Sequence, residues 1–250
     1  MILYNQPYNF LLLNKNIQVR TYLLFFLILG VTEIQAQTSP TTELQTKTVT
    51  AAPFTDVKLY SGIEGVLVPG TENKVVVSCD DPDSVIVIQK NNSLRIRVSL
   101  AKVVELPAVY VEIHYTTPLD QIDLNQGSSL RFKETMQQTS INLQVQEGAK
   151  LVGAFDVVKL RTDVDTGGQV ELHGKAKNHQ LNVTSGGTCE AEKLITEQST
   201  VRVTAGGVAY ANATKLMEAI VNFNGTIRVF GSPTKLVTQK VLGGKIIEMN

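Results

Sequence analysis

The fold this sequence predicts is all-β: a right-handed parallel β-helix, or solenoid, with rungs of about nineteen residues and a less regular N-terminal β cap. Three observations predict it. From Leu119 onward, Gly127, Gly148, Gly167, Gly186, Gly206, Asn224 and Gly243 recur at intervals of 21, 19, 19, 20, 18 and 19 residues. Three places before these reference residues stand Leu124, Val145, Val164, Val183, Val203 and Val221, and three places after stand Leu130, Leu151, Val170, Cys189, Ala209 and Ile227, all apolar. Two places before, the residue is polar every time: Asn125, Gln146, Asp165, Thr184, Thr204 and Asn222.

The rows five places away extend the alternation, with one exception each. Thr162 interrupts Ile122, Leu143, Leu181, Val201 and Ala219, and Gly153 interrupts Phe132, Leu172, Ala191, Ala211 and Val229. Period-two alternation on both flanks of a glycine reads as strand, corner, strand, with one face of each strand buried. A single rung cannot bury that face. Stacking like positions about 4.8 Å apart builds a continuous core and pairs the backbone between rungs. Coils joined in one sense give parallel sheets, and crossover chirality favours the right-handed winding. An antiparallel meander would alternate too, but gives no reason for one position to stay apolar at a fixed interval.

The chain divides as follows. Tyr22 to Val31 (YLLFFLILGV) is a ten-residue apolar run after Lys15 and Arg20, and Ala36 supplies the small residue of a cleavage site, so residues 1–36 read as a secretory signal peptide. The run is shorter than the roughly twenty residues of a membrane-spanning helix. A retained membrane anchor is the alternative, and either would be the chain's connection to a membrane. Residues 37–53 are rich in Thr, Gln and Ser and read as a flexible linker. Residues 54–118 alternate through VKLY, VVVSC, VIVIQ, LRIRV and VYVEIHY, with turn signals at Pro69-Gly70 and Asn91-Asn92, and read as an irregular β region suited to capping the solenoid, with a separate small sandwich as the alternative. Residues 119–250 carry the rungs, the last drifting out of register at Thr238 and Lys240. Only Lys215 to Ile220 invites a single helical turn.

Composition narrows the function. The chain is 43% apolar and 18% charged, as a folding chain is, and its 23 basic and 23 acidic residues form no basic stripe for nucleic acid.

FTDVKLYSGIEGVLVPG at the start, the strand pair SVIVIQKNNSLRIRV, PLDQIDLNQGSSL entering the rungs and VFGSPTKLVTQKVLGGKI at the end run from about Phe54 to Ile247. On these segments the chain resembles the putative auto-transporter adhesin family with a head GIN domain, found in exported proteins of Bacteroidota. The usual Gly-Ser corners are partly replaced by Gly-Gly at 167, 186, 206 and 243. The resemblance implies a parallel β-helix at the cell envelope, in the periplasm or on the surface, and carries no active site with it.

Residue by residue, the chemistry is sparse. Asp163 and Asp165 face outward near Asp123 and Gln144, and could hold Ca²⁺ or simply form a solvated strand face. His173 and His179 flank a corner and His114 lies in an earlier strand; without carboxylate or Cys at ligand spacing they read as surface or turn histidines. Cys189 falls on an apolar row and reads as a buried small hydrophobe, with a disulfide to Cys79 open in an exported protein. Sequons begin at Asn91, Asn182, Asn212 and Asn224. No cofactor, metal or catalytic set is expected. The outward ladder Asn125, Gln146, Asp165, Thr184, Thr204 and Asn222 is the candidate binding surface for a glycan or a surface protein. Three functions remain: a non-enzymatic adhesin or ligand-binding solenoid, a structural envelope component assembling through its ends, and a polysaccharide-active enzyme, which would need paired carboxylates in a cleft.

Overall fold

Two consecutive residues with left-handed backbone set the reference corner of each repeating rung from Gln126 onward. In the computed structural model, which describes residues 44–102 and 108–249, these pairs include Gln126-Gly127, Thr166-Gly167, Ser185-Gly186 and Phe223-Asn224, with φ between 47° and 73°. That is a type I′ turn, closed by bonds such as Gly168 N to Asp165 O at 2.9 Å and Gly187 N to Thr184 O at 2.9 Å. Glycine suits the second place because it adopts positive φ without strain, and Asn224 stands in as the next most tolerant residue. Successive corners bond to one another, Gly127 N to Glu147 O at 2.9 Å and Gly186 N to Ala205 O at 3.2 Å. The residue after the reference glycine turns inward over the preceding rung: Ser128 and Ala149 are fully buried, and a Cβ at Gly187 would touch Val164. Hence the Gly-Gly pairs.

The corners join two parallel ladders. On the first sheet β8 (Gln121–Leu124) pairs with β10 (Met136–Val145), then come β11 (Lys150–Val164), β12 (Gln169–Val183), β13 (Thr188–Val203), β15 (Leu216–Asn222) and β17 (Lys235–Val241). On the second, β9 (Ser129–Phe132) leads to the first halves of β11, β12 and β13, then to β14 (Val208–Asn212), β16 (Thr226–Phe230) and β18 (Lys245–Glu248). The register aligns Val145, Val164, Val183 and Val203, as the spacing predicts. Where the spacing stretches to twenty, the register shifts: Glu171 faces Glu190, but His173 faces Lys193. The strand β12 is continuous but bends at Gly174 (φ 95°), adding a short third side to the predicted strand-corner-strand. Leu216–Asn222 is strand rather than a helical turn, because both neighbouring rungs supply its backbone partners.

The cap follows a different order from the chain. The strands β2 (Asp56–Leu59) and β3 (Glu64–Pro69) turn at Ser61-Gly62 and make a regular rung. On one side it stacks on β8 and β9, on the other on β6 (Ser93–Val98) and β7 (Tyr110–Tyr115), all parallel. Thus the first turn formed by the sequence is the second in space. Beyond it, β4 (Lys74–Cys79) and β5 (Val85–Lys90) run antiparallel to β7 and β6 and end the parallel stack. Within the segment read as a linker, β1 (Gln45–Thr50) pairs antiparallel with β4; backbone pairing, not burial, holds it, since its side chains are largely exposed. The signal segment lies outside the described residues.

Both interruptions of the apolar rows have partners. Gly153 leaves room for Phe132, whose ring meets Phe155 edge-on, centroids 5.1 Å apart and planes at 84°. Thr162 is buried with its hydroxyl 3.2 Å from Nε2 of His179. His179 is therefore not a turn residue. It takes an inward place because the alternation resets at Lys177-Asn178, leaving both Ala176 and His179 buried, and its Nε2 meets the Thr162 hydroxyl. Complete burial pushes its imidazole down from an ordinary value near 6.5 to about 4.

A base whose folded pKa is depressed binds its proton first in the unfolded chain, so stability is full above about pH 6.5 and falls as pH drops towards 4. We expect a loss of about 3 kcal/mol across that window from this residue. Denaturant titrations at pH 7 and pH 4.5 check it. The double variant His179→Leu, Thr162→Val should flatten the slope, and an unchanged slope would assign it elsewhere.

Candidate functional site

The predicted ladder exists as a row. Backbone bonds run Gln146 N to Leu124 O, Asp165 N to Val145 O, Thr184 N to Val164 O and Thr204 N to Val183 O, and the Val203–Val221 register adds Asn222, which stacks the six side chains at the first corner position. The row is less available than alternation implies. Asn125 is buried, donating to Asp123 at 2.8 Å and accepting from Gln146 at 2.6 Å. Asp165 accepts the Thr166 amide at 2.7 Å, stabilising its own corner. Thr184, Thr204 and Asn222 are half-buried. The lower end of the ladder thus spends its polar atoms on the fold.

The calcium candidates are similarly engaged. Asp163 is bound by the Arg161 guanidinium at 2.8 Å and by the Asn182 amide at 2.7 Å, and Asp123 by Lys58 at 3.0 Å. No group of three His, Cys, Asp or Glu poised for a metal occurs among the described residues. His114 lies 3.3 Å from Glu112 and His173 lies 3.2 Å from Glu171, each on its own strand. Cys79 and Cys189 are both free and buried, and burial raises both thiols, so neither is a ready nucleophile. Of the sequons, Asn91 and Asn224 are exposed at turns, whereas Asn182 and Asn212 donate their amides to Asp163 and to the Glu192 carbonyl.

A concave surface appears instead on the outer face of the second sheet, where the spatial strand order is β1, β4, β7, β3, β9, β11. Register brings Thr46, Ser78, Tyr110, Glu64, Ser129 and Lys150 into one line across these strands. A second line, two residues along, holds Val76, Glu112, Val66, Arg131 and Val152. Between them runs a groove of about 650 Å³. Its floor is valine, and its rims carry hydroxyls, two carboxylates, a guanidinium, an ammonium and the half-exposed ring of Tyr110. A smaller hollow of about 200 Å³ continues it past Lys150 to Glu171 and Glu190.

That site escapes sequence reading because Thr46, Ser78, Tyr110 and Glu64 come from strands whose spatial order is not their chain order. The only signal is the alternation of VVVSC and VYVEIHY, which marks outward positions without saying what lies beside them. Farther along the same face, Arg228 stacks over Tyr210 at 4.9 Å and donates to its hydroxyl at 2.6 Å, with Phe230 stacked beyond.

The family model described as "Putative auto-transporter adhesin, head GIN domain" matches residues 53–233. Among solved structures, a putative adhesin from Bacteroides fragilis is 18% identical, with a TM-score of 0.75 over 84% of this chain and 99% of that one. A putative adhesin from Parabacteroides distasonis is 24% identical, with a TM-score of 0.70 over 83% and 97%. From the same organism, a putative lipid binding protein is 13% identical, with a TM-score of 0.64 over 83% and 97%. At these identities the likeness establishes the β-solenoid and its cap. No curated protein matches the chain.

Proposed function

This chain belongs to the putative auto-transporter adhesin, head GIN domain family, and we propose that it is an exported, non-enzymatic adhesin of the cell envelope, periplasmic or surface-exposed. It holds a glycan or a surface protein along the outer face of its second sheet. The observation that carries this reading is the groove across β1, β4, β7, β3, β9 and β11. Its volume falls within the range of roughly 300–1,000 Å³ of ligand sites, and it is open at the side, as an elongated ligand requires. Rigid paired strands hold the lining side chains in place without a ligand, so little ordering is lost on binding. Tyr110 offers a ring to stack on a sugar or a side chain, while Arg131, Lys150, Glu64 and Glu112 supply charge-assisted bonds.

The test is an array of host and bacterial glycans and matrix proteins probed with the chain from Gln37 onward. Tyr110→Ala or Arg131→Ala should weaken a specific hit by about ten-fold or more. Thr184→Ala should leave it unchanged. Loss with Thr184→Ala instead would move the site to the corner ladder, and an array without hits would favour a structural envelope role. Because Glu64 and Glu112 stand diagonally across the groove, the same glycans should be assayed for cleavage. Turnover lost in both Glu→Gln variants would replace binding by catalysis.

A further inference from the structure

The first residue of each corner turn forms a ridge along the solenoid, and its chemistry changes abruptly. It reads Gln126, Glu147, Thr166 and Ser185, then Ala205, Phe223 and Leu242. Phe223 is 58% exposed and Leu242 65%. Both hold positive φ, 51° and 55°, a region bulky apolar residues rarely enter. They gain neither burial nor a comfortable backbone there. The two lie on adjacent turns, since the Asn224 amide donates to the Leu242 carbonyl at 3.2 Å. Exposed Val241 and Ile247 flank them on the two sheets.

The last turn keeps the pattern of the others only in part: Leu236 and Ile246 stay inward against Met217 and Ile227, but the remaining places depart from it. Register places Thr238, Lys240 and Glu248 in line with Ala219, Val221 and Val229, at inward positions, whereas Val237, Val241 and Ile247 point outward. By register β17 pairs with β15 and β18 with β16, and among the described residues no strand is registered on their far edges. Lys235, Lys240 and Lys245 line these edges, with Glu248 as the one acidic side chain among the described residues of this turn, in a chain whose formal charge is zero. A second copy stacked on this end would bury Lys240 and Glu248 and crowd the lysines together, a pattern that blocks strand addition.

From these features we infer that the C-terminal end of the solenoid docks on an anionic lipid surface, with Phe223 and Leu242 entering the acyl boundary and the three lysines meeting the headgroups. Apolar tips on a convex ridge need a matching cavity in a protein partner. A lipid interface accommodates them without one, and anionic headgroups match the basic rim.

The solenoid from Glu43 onward is a self-contained unit, so the chain from Gln37 onward serves for the test. It should co-sediment with vesicles of phosphatidylglycerol and phosphatidylcholine. Pure phosphatidylcholine, or Lys235→Gln, Lys240→Gln, Lys245→Gln together, should lower binding by about a hundred-fold. The chain has no tryptophan, so Leu242→Trp adds a single reporter, whose emission should shift blue with the anionic vesicles. The decisive variant is Phe223→Asn with Leu242→Asn: Asn prefers the left-handed backbone, so the melting temperature should hold or rise while vesicle binding is lost. The inference is overturned if that variant binds as before, if anionic vesicles bind no better than neutral ones, or if the ridge instead makes a concentration-dependent dimer. Array binding through the second-sheet groove is unaffected by any of these outcomes.

Discussion

Val183→Asp is expected to destabilise the protein by about 5 kcal/mol, enough on the usual stability scale to leave much of the chain unfolded. Val183 is 1% exposed and sits mid-stack, with Val164 on one side and Val203 on the other. A carboxylate there finds no donor, because its neighbours in the row are aliphatic and their backbone groups are spent on the ladders. It must stay neutral at a cost of several pKa units or open the stack to water. One residue along, Thr184 is half-buried and its hydroxyl has only the Ser185 hydroxyl within reach, at 3.3 Å. Thr184→Ala should cost less than about 0.5 kcal/mol. Chemical denaturation of both variants decides the register: comparable losses would mean that the inward and outward assignments are wrong.

Gly174→Ala is the second large effect, and it acts through the backbone rather than the core. At φ 95° a Cβ on Gly174 would overlap the carbonyl oxygen of Phe155 in the preceding rung. That oxygen belongs to the rung-to-rung stack and cannot swing away as a flexible side chain could. We expect a loss of about 3–4 kcal/mol. Gly186→Ala provides the control. Its φ is also positive, at 73°, but the added Cβ would meet nothing within 4 Å, leaving only the left-handed strain of about 1 kcal/mol. Thermal or denaturant midpoints separating the two would locate the cost in rung packing. Equal losses would show that the Gly174 bend relaxes freely.

The repeating part of the fold was legible because its decisive contacts lie one turn apart. A position and its neighbour in space are about nineteen residues distant, so a row of like residues in the sequence is a row in the structure. Even the exceptions followed once partners were visible: Gly153 yields to Phe132, and Thr162 answers His179. The same logic fails in the cap. Val57 pairs with both Leu94 and Ile122, and no periodicity links those numbers. The second-sheet groove inherits that opacity, since its lining comes from six strands shuffled in space. His179 escapes a period-two reading because the alternation breaks between it and His173, at Lys177-Asn178. For the corner residues, outward direction alone does not reveal that Gln146 donates to Asn125.

Finally, the rung made by β2 and β3 has a bearing on how the chain becomes a folded one. Its neighbours in space are made later, so the earliest turn to emerge has nothing beside it until β6 and β7 arrive. Once Asp56–Leu59 is held against Ser93–Val98, its other edge is a ready template for Gln121–Leu124. Closing the span from Val57 to Ile122 costs about 1 kcal/mol more in chain entropy than closing a nineteen-residue turn. Everything after that is short-range. Folding is therefore expected to run in one direction: a slower first step at the β2–β3 rung, then addition of a turn for each rung that follows.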